Sequence, residues 1–95
     1  MNRFSVARTA RSDLPAIVKR IALDNPSAAS RLSERFRQVF SLLGGNPLLG
    51  QACNNLRSGL RFFCVENYVV YYEPTDHRIR IVRVLHGTQN APSKL

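Results

Sequence analysis

Apolar residues recur along this chain at two different spacings, and the changes between them divide it into elements. Arg3-Phe4-Ser5-Val6 alternates polar and apolar and predicts a short first strand. The spacing then lengthens: Leu14, Ile17, Val18, Ile21 and Ala22 fall at threes and fours and predict an amphipathic helix. Ser12 as its N-cap gives a helix over residues 12–24, with Pro15 in the first turn, where a missing N–H breaks no bond. A start at Thr9 would instead place Pro15 in the interior and predict a kink. Asn25 as N-cap and Pro26 at the first helical position open a second helix, whose stripe is Ala29, Leu32, Phe36, Val39, Phe40 and Leu43. Gly44-Gly45 marks its end, and so tight a connection predicts an antiparallel helical hairpin. Residues 46–55 have no period and read as a loop.

From Gly59 to Gly87 the period returns to two. Three runs rich in β-branched and aromatic residues, separated by turns at Glu66-Asn67 and at 74–77, predict an antiparallel meander. A two-residue first turn pairs Phe63 with Val70 and Arg61 with Tyr72; a four-residue second turn pairs Tyr72 with Ile79, Val70 with Ile81 and Tyr68 with Arg83. In that register one face carries Arg61, Phe63, Val65, Tyr68, Val70, Tyr72, Ile79, Ile81, Arg83 and Leu85, and the other carries Leu60, Phe62, Cys64, Val69, Tyr71, Val82 and Val84. Both faces are largely apolar, and one helical hairpin covers one of them. Either a partner or a second copy covers the other, or the 46–55 loop and the tail fold over it. The fold class is therefore α+β, in the order β-α-α-β-β-β, with the hairpin on one face of a small, mainly antiparallel sheet. Residues 1–90 form the single domain, and 91–95 a frayed tail.

Charge narrows the class of partner. Fourteen basic against six acidic residues give +8 and a pI near 10.8. All the bases but Lys19 and Lys94 are arginines, whose planar fork suits carboxylate and phosphate. The excess is spread through the chain and points to nucleic acid, a ribonucleoprotein or an acidic protein. Arg61 and Arg83 interrupt an apolar face and are candidates to receive an anion there, the alternative being that each reaches water or stacks on a tyrosine. Cys53 and Cys64 form no Cys-x-x-Cys and have no histidines at metal-ligand spacing, so they read as one loop thiol and one thiol packed in a strand, without metal or cofactor. No run has the length of a membrane span and no signal-peptide core opens the chain, which makes the cytoplasm the expected compartment.

Several of these segments, in this order, resemble the ParE/RelE toxin superfamily, and its ParE branch most. They are Asp13-Leu14 with Ile17, Asn25-Pro26, Asn46-Pro47 with Gly50, Arg61, Tyr68-Val69-Val70-Tyr71-Tyr72, and Val82-Arg83-Val84-Leu85-His86-Gly87, together spanning about residues 3–90. The resemblance implies the toxin of a bacterial type II toxin–antitoxin module, of the kind that stabilises plasmids. Such a toxin binds and inhibits DNA gyrase and is neutralised by a cognate, acidic antitoxin, as a homodimer or a toxin–antitoxin hetero-oligomer. No sequence-specific DNA binding by the toxin itself is expected. It also implies that the first strand lies beside the last and leaves strand 60–65 at an edge. Candidate contact residues for antitoxin or target are Arg61, Phe63, Tyr72, Arg83, His86 and Gln89. The RelE branch cleaves messenger RNA on the ribosome; of its residues only Arg61 matches, with His86 available as acid or base, so a ribonuclease using Arg61 and His86 is the alternative. A basic interaction module without toxicity is a third reading. Where ParE-like chains commonly end His-Gly-x-Arg-Asp, this one has His86-Gly87-Thr88-Gln89-Asn90, two charges fewer.

Overall fold

A computed structural model describes residues 3–88 and Leu95. The elements are β1 (Phe4–Val6), α1 (Arg8–Asp24), α2 (Pro26–Gly45), β2 (Gln51–Ala52), β3 (Arg61–Val65), β4 (Tyr68–Pro74) and β5 (Ile79–His86). One sheet holds all five strands in the order β1-β5-β4-β3-β2; β1 runs parallel to β5 and the other pairs are antiparallel. Parallel pairing needs a crossover, and the helical hairpin supplies it as part of the connection from β1 back to the sheet.

α1 begins at Arg8, not at Ser12, so Pro15 lies inside the helix and the Ser12 cap does not exist. The cause is tertiary. Ala7 donates its N–H to the Ile81 carbonyl at 2.8 Å, and the helix starts at the next residue because its first turns must lie along β5. Pro15 lacks the N–H that would bond the Arg11 carbonyl, and both residues lie on the exposed side of the helix. Asn25 joins the helices: its N–H bonds Ile21 O at 2.8 Å to close α1, and its Oδ1 accepts from Ala28 N at 3.1 Å to open α2. Gly44 and Gly45 do not form a left-handed stop. They are the last helical residues, and a Cβ on Gly44 would sit 2.7 Å from Arg3 Cβ, so the glycine permits the chain before β1 to cross the helix end.

The main core lies between the hairpin and one face of the sheet. Ile17, Leu32, Phe36, Val39, Phe40 and Leu43 meet Val65, Val70, Tyr72, Ile79, Ile81 and Val84. Phe36 packs edge-on to Tyr68, and Phe4 edge-on to Phe40, with ring centroids 5.9 and 5.5 Å apart. Each fully buried aliphatic side chain in such a layer contributes about 1.5–3 kcal/mol.

The β3–β4 register is the one the sequence predicts, but the β4–β5 register is not. Near the turn, Tyr72 faces Ile81 and Pro74 faces Ile79, a slip of two that leaves each residue on its expected face. Beyond it a bulge lets Tyr71 face Arg83 and Val70 face Val84, with Val82 as the extra residue. That single insertion exchanges the rest of β5: Val84 joins the helix-side core, while Leu85 turns to the far face.

The chain itself covers part of the far face. Cys53 and Leu60, with Leu56, fold against Tyr71, Val82 and Leu85 as a second apolar cluster, and Leu95 packs onto it. Of the expected tail, residues 91–94 lie outside the described residues. β2 also pairs with Arg61 and Phe62, so β3 is an edge strand only from Phe63 onward. The thiols exchange their expected settings: the loop residue Cys53 is buried and the strand residue Cys64 is exposed, and neither is in a disulfide.

Candidate functional site

Where β1 stops at Val6, β5 continues with no strand on that side among the described residues, and α1 completes that edge with side chains. Thr9 Oγ1 donates to the Val82 carbonyl at 2.9 Å, and Asp13 Oδ2 accepts from Val84 N at 3.0 Å. The same carboxylate takes a two-pronged bond from Arg83, Nε to Oδ2 and Nη2 to Oδ1, both at 2.8 Å. Only 19% of the Arg83 side chain and 12% of that of Asp13 are exposed, so the pair is screened far less than a surface ion pair. The bond to Asp13 raises the Arg83 pKa above its already high value. Arg83 is thus not a strand-end arginine in water; it ties α1 to the bulge of β5.

One helical turn further lies a cleft of about 810 Å³ between α1 and the ends of β4 and β5. Its lining includes Ile17 and Val84 on the apolar side and Asp13, Arg20, Tyr68 and His86 on the polar side. The His86 ring stands edge-on to Tyr68, with centroids 5.4 Å apart at 88°. Its Nδ1 accepts the Thr88 N–H at 3.2 Å and lies 2.8 Å from Thr88 Oγ1. The Gly87 N–H bonds the Asn67 carbonyl at 2.9 Å, so this strand end is tied to the first hairpin turn.

Arg61 sits in a different part of the sheet. Its Nε donates to the Gly50 carbonyl at 2.8 Å and its Nη2 to the Leu48 carbonyl at 3.0 Å. Tyr72, fully buried beside it, accepts from Gly50 N and donates to the Pro47 carbonyl, both at 2.8 Å. A Cβ on Gly50 would lie 2.5 Å from the Tyr72 hydroxyl and 2.6 Å from the Phe62 carbonyl. The spacing of Asn46-Pro47 and Gly50 therefore serves a loop held by two strand side chains. Phe63 is half-buried against the main core. Gln89 lies outside the described residues.

The candidate residues thus do not form one constellation. Arg61 belongs to the Tyr72–Ile81 row and His86 to the Tyr68–Val65 row, two strands over and four residues along. Strand rise and spacing set their backbones roughly 16 Å apart, and the Arg61 guanidinium is turned to the 47–50 loop. General acid–base cleavage of one phosphodiester needs both groups within hydrogen-bond reach of the same atoms. Sequence reasoning passed over Asp13 as the partner of Arg83. Its signal is the Thr9-Asp13-Ile17 spacing of four, which puts two polar residues in line with a buried one. Among the described residues no three His, Cys, Asp or Glu gather as a metal site.

Comparison with known proteins now gives this geometry a context. Residues 4–91 match the family described as ParE toxin of the type II toxin–antitoxin system, parDE. Toxin ParE3 of Caulobacter vibrioides is 31% identical over 96 residues, covering 100% of this chain and 96% of that protein. Toxin ParE1 of the same organism is 28% identical over 99 residues, covering 100% and 99%. A solved structure described as a chromosomal ParDE toxin–antitoxin system from P. aeruginosa superposes with a TM-score of 0.75 at 19% identity, covering 90% of this chain and 96% of that one.

Proposed function

The chain belongs to the ParE toxin family of type II toxin–antitoxin systems, and from that premise we propose that it acts in the cytoplasm by binding and inhibiting DNA gyrase until a cognate acidic antitoxin neutralises it. The observation that carries a binding mode is the dispersal of Arg61 and His86. Arg61 spends its guanidinium on two loop carbonyls, and His86 stands at the other end of the sheet. That arrangement supports occupation of a target over cleavage of RNA. An antitoxin partner is supported by the net charge of +8, which favours an acidic chain, and by the ParDE assembly to which the fold is similar. No helix among the described residues is long and apolar enough to cross a membrane.

Two assays run side by side test this reading. In a gyrase supercoiling assay the purified toxin is expected to stop supercoiling, and its antitoxin to restore it. In a coupled translation assay read by primer extension, messages are expected to stay intact. Cuts positioned on codons and abolished by His86→Ala would instead establish the ribonuclease.

A further inference from the structure

The loop that follows α2 is held by side chains of the sheet, and it displays two leucines. The Pro47 carbonyl and the Gly50 N–H are bonded by Tyr72, the Leu48 and Gly50 carbonyls by Arg61, and the Leu49 N–H bonds Asn46 O at 2.9 Å. Surface loops are usually polar and loosely held. Here a buried tyrosine and an arginine from β3 hold one in place while Leu48 and Leu49 stand 71% and 50% exposed. Leu42, a turn earlier on α2, is 46% exposed and shares this end of the hairpin, its carbonyl bonded by Asn46 Nδ2. Among the described residues the carbonyls of Leu42 and Leu48 are bonded, while these three side chains stay in water.

We propose that the braced Leu48-Leu49 loop is the surface that engages the toxin's folded protein target, seating both leucines in an apolar pocket bordered by carboxylates. The inference rests on the gyrase reading above and deepens it by naming the contact. Three arguments select this occupant. A loop fixed in advance loses little conformational freedom on binding, which is the condition under which two small side chains make a useful anchor. Displayed side chains need a concave site, and a folded protein offers pockets whereas an extended antitoxin segment offers none of its own. The rim is cationic: the Arg61 guanidinium braces the loop, and Arg3 Nη1 lies 3.5 Å from where a Gly45 side chain would begin. An apolar centre with an arginine border matches a pocket with the opposite border.

The experiment uses the full chain and purified bacterial DNA gyrase. The double variant Leu48→Ser, Leu49→Ser is expected to keep its circular dichroism spectrum and melting temperature, since both side chains already face water. Its half-inhibitory concentration in the supercoiling assay is expected to rise at least tenfold. Leu23→Ser, which alters an 80% exposed leucine at the opposite end of the hairpin, is expected to inhibit like the unaltered toxin. A double variant with unchanged potency overturns the proposal and leaves the gyrase reading standing. Failure of the unaltered toxin to inhibit overturns the gyrase reading itself. Sedimentation in which the unaltered toxin dimerises and the double variant does not assigns the leucines to a second copy, and also overturns the proposal.

Discussion

Asp13 joins α1 to β5 through three hydrogen bonds. Its carboxylate accepts from the backbone of the bulged strand and from both prongs of Arg83, so removing it leaves a strand N–H and a half-buried guanidinium without their main acceptor. Asp13→Ala is expected to destabilise the protein by about 2–3 kcal/mol, measured by urea unfolding, with Asp13→Asn between it and the unaltered chain. Double mutation with Arg83→Ala should cost clearly less than the sum of the two single changes, because each single change already breaks the same ion pair. Gly50 fails by a different mechanism. Its substitution by alanine drives a methyl group into the Tyr72 hydroxyl and the Phe62 carbonyl, both of them held. A loss of about 2–3 kcal/mol is expected, with Tyr72→Phe milder at about 1 kcal/mol, since it loses the hydroxyl's bonds without a clash.

At the scale of elements, the sheet's second face shows why an apolar surface in a sequence need not mean a missing partner. Cys53 and Tyr71 are buried there together, and burial raises both pKa values above their ordinary 9.0 and 10.0. A raised folded-state pKa means that the neutral form is favoured in the native protein. The stability tied to each group is therefore complete below its unfolded pKa and lost as pH climbs toward the folded one. Urea midpoints are expected to hold from pH 7 to about 8.5 and then fall, with Cys53 acting first and Tyr71 above pH 10. In Tyr71→Phe the fall above pH 10 should be shallower; an equal slope would mean that the far face opens at alkaline pH for another reason. The same face marks the limit of what the pattern could tell. Alternation gave both apolar faces, the hairpin at Glu66-Asn67 and the helix stripes, because those are local consequences of side-chain period. The bulge at Val82 was not legible: an inserted residue has no local signal, yet it exchanges Val84 and Leu85 between layers. The start of α1 was hidden for a related reason. Ser12 is a good cap by itself, but the bonds from Ala7 and Thr9 to β5 decide the matter across more than seventy residues of chain. For the site, the alternation flagged Arg61 and Arg83 as charges on an apolar face, while their carbonyl and carboxylate partners come from tertiary structure alone.

The whole molecule is dominated by uncompensated positive charge. Of its six acids, Asp13, Glu34 and Glu73 are engaged by arginines among the described residues, at Arg83, at Arg37, and at Arg57 and Arg80. Those internal pairs leave a surface on which the remaining arginines repel one another, so the isolated toxin is held below the stability its core alone would give. Salt should act in opposite directions on folding and on recognition. Raising ionic strength from about 0.05 to 0.3 M shortens the screening length from roughly 14 to 6 Å, which relieves self-repulsion and is expected to raise the melting temperature of the free toxin by a few degrees. Over the same range the association rate with an acidic antitoxin is expected to fall by about tenfold or more, because long-range attraction steers the encounter, while dissociation changes little. Stopped-flow mixing at several salt concentrations measures this directly. A rate indifferent to salt would mean that the antitoxin is captured through apolar contact alone, and that the surplus of arginine serves the target instead.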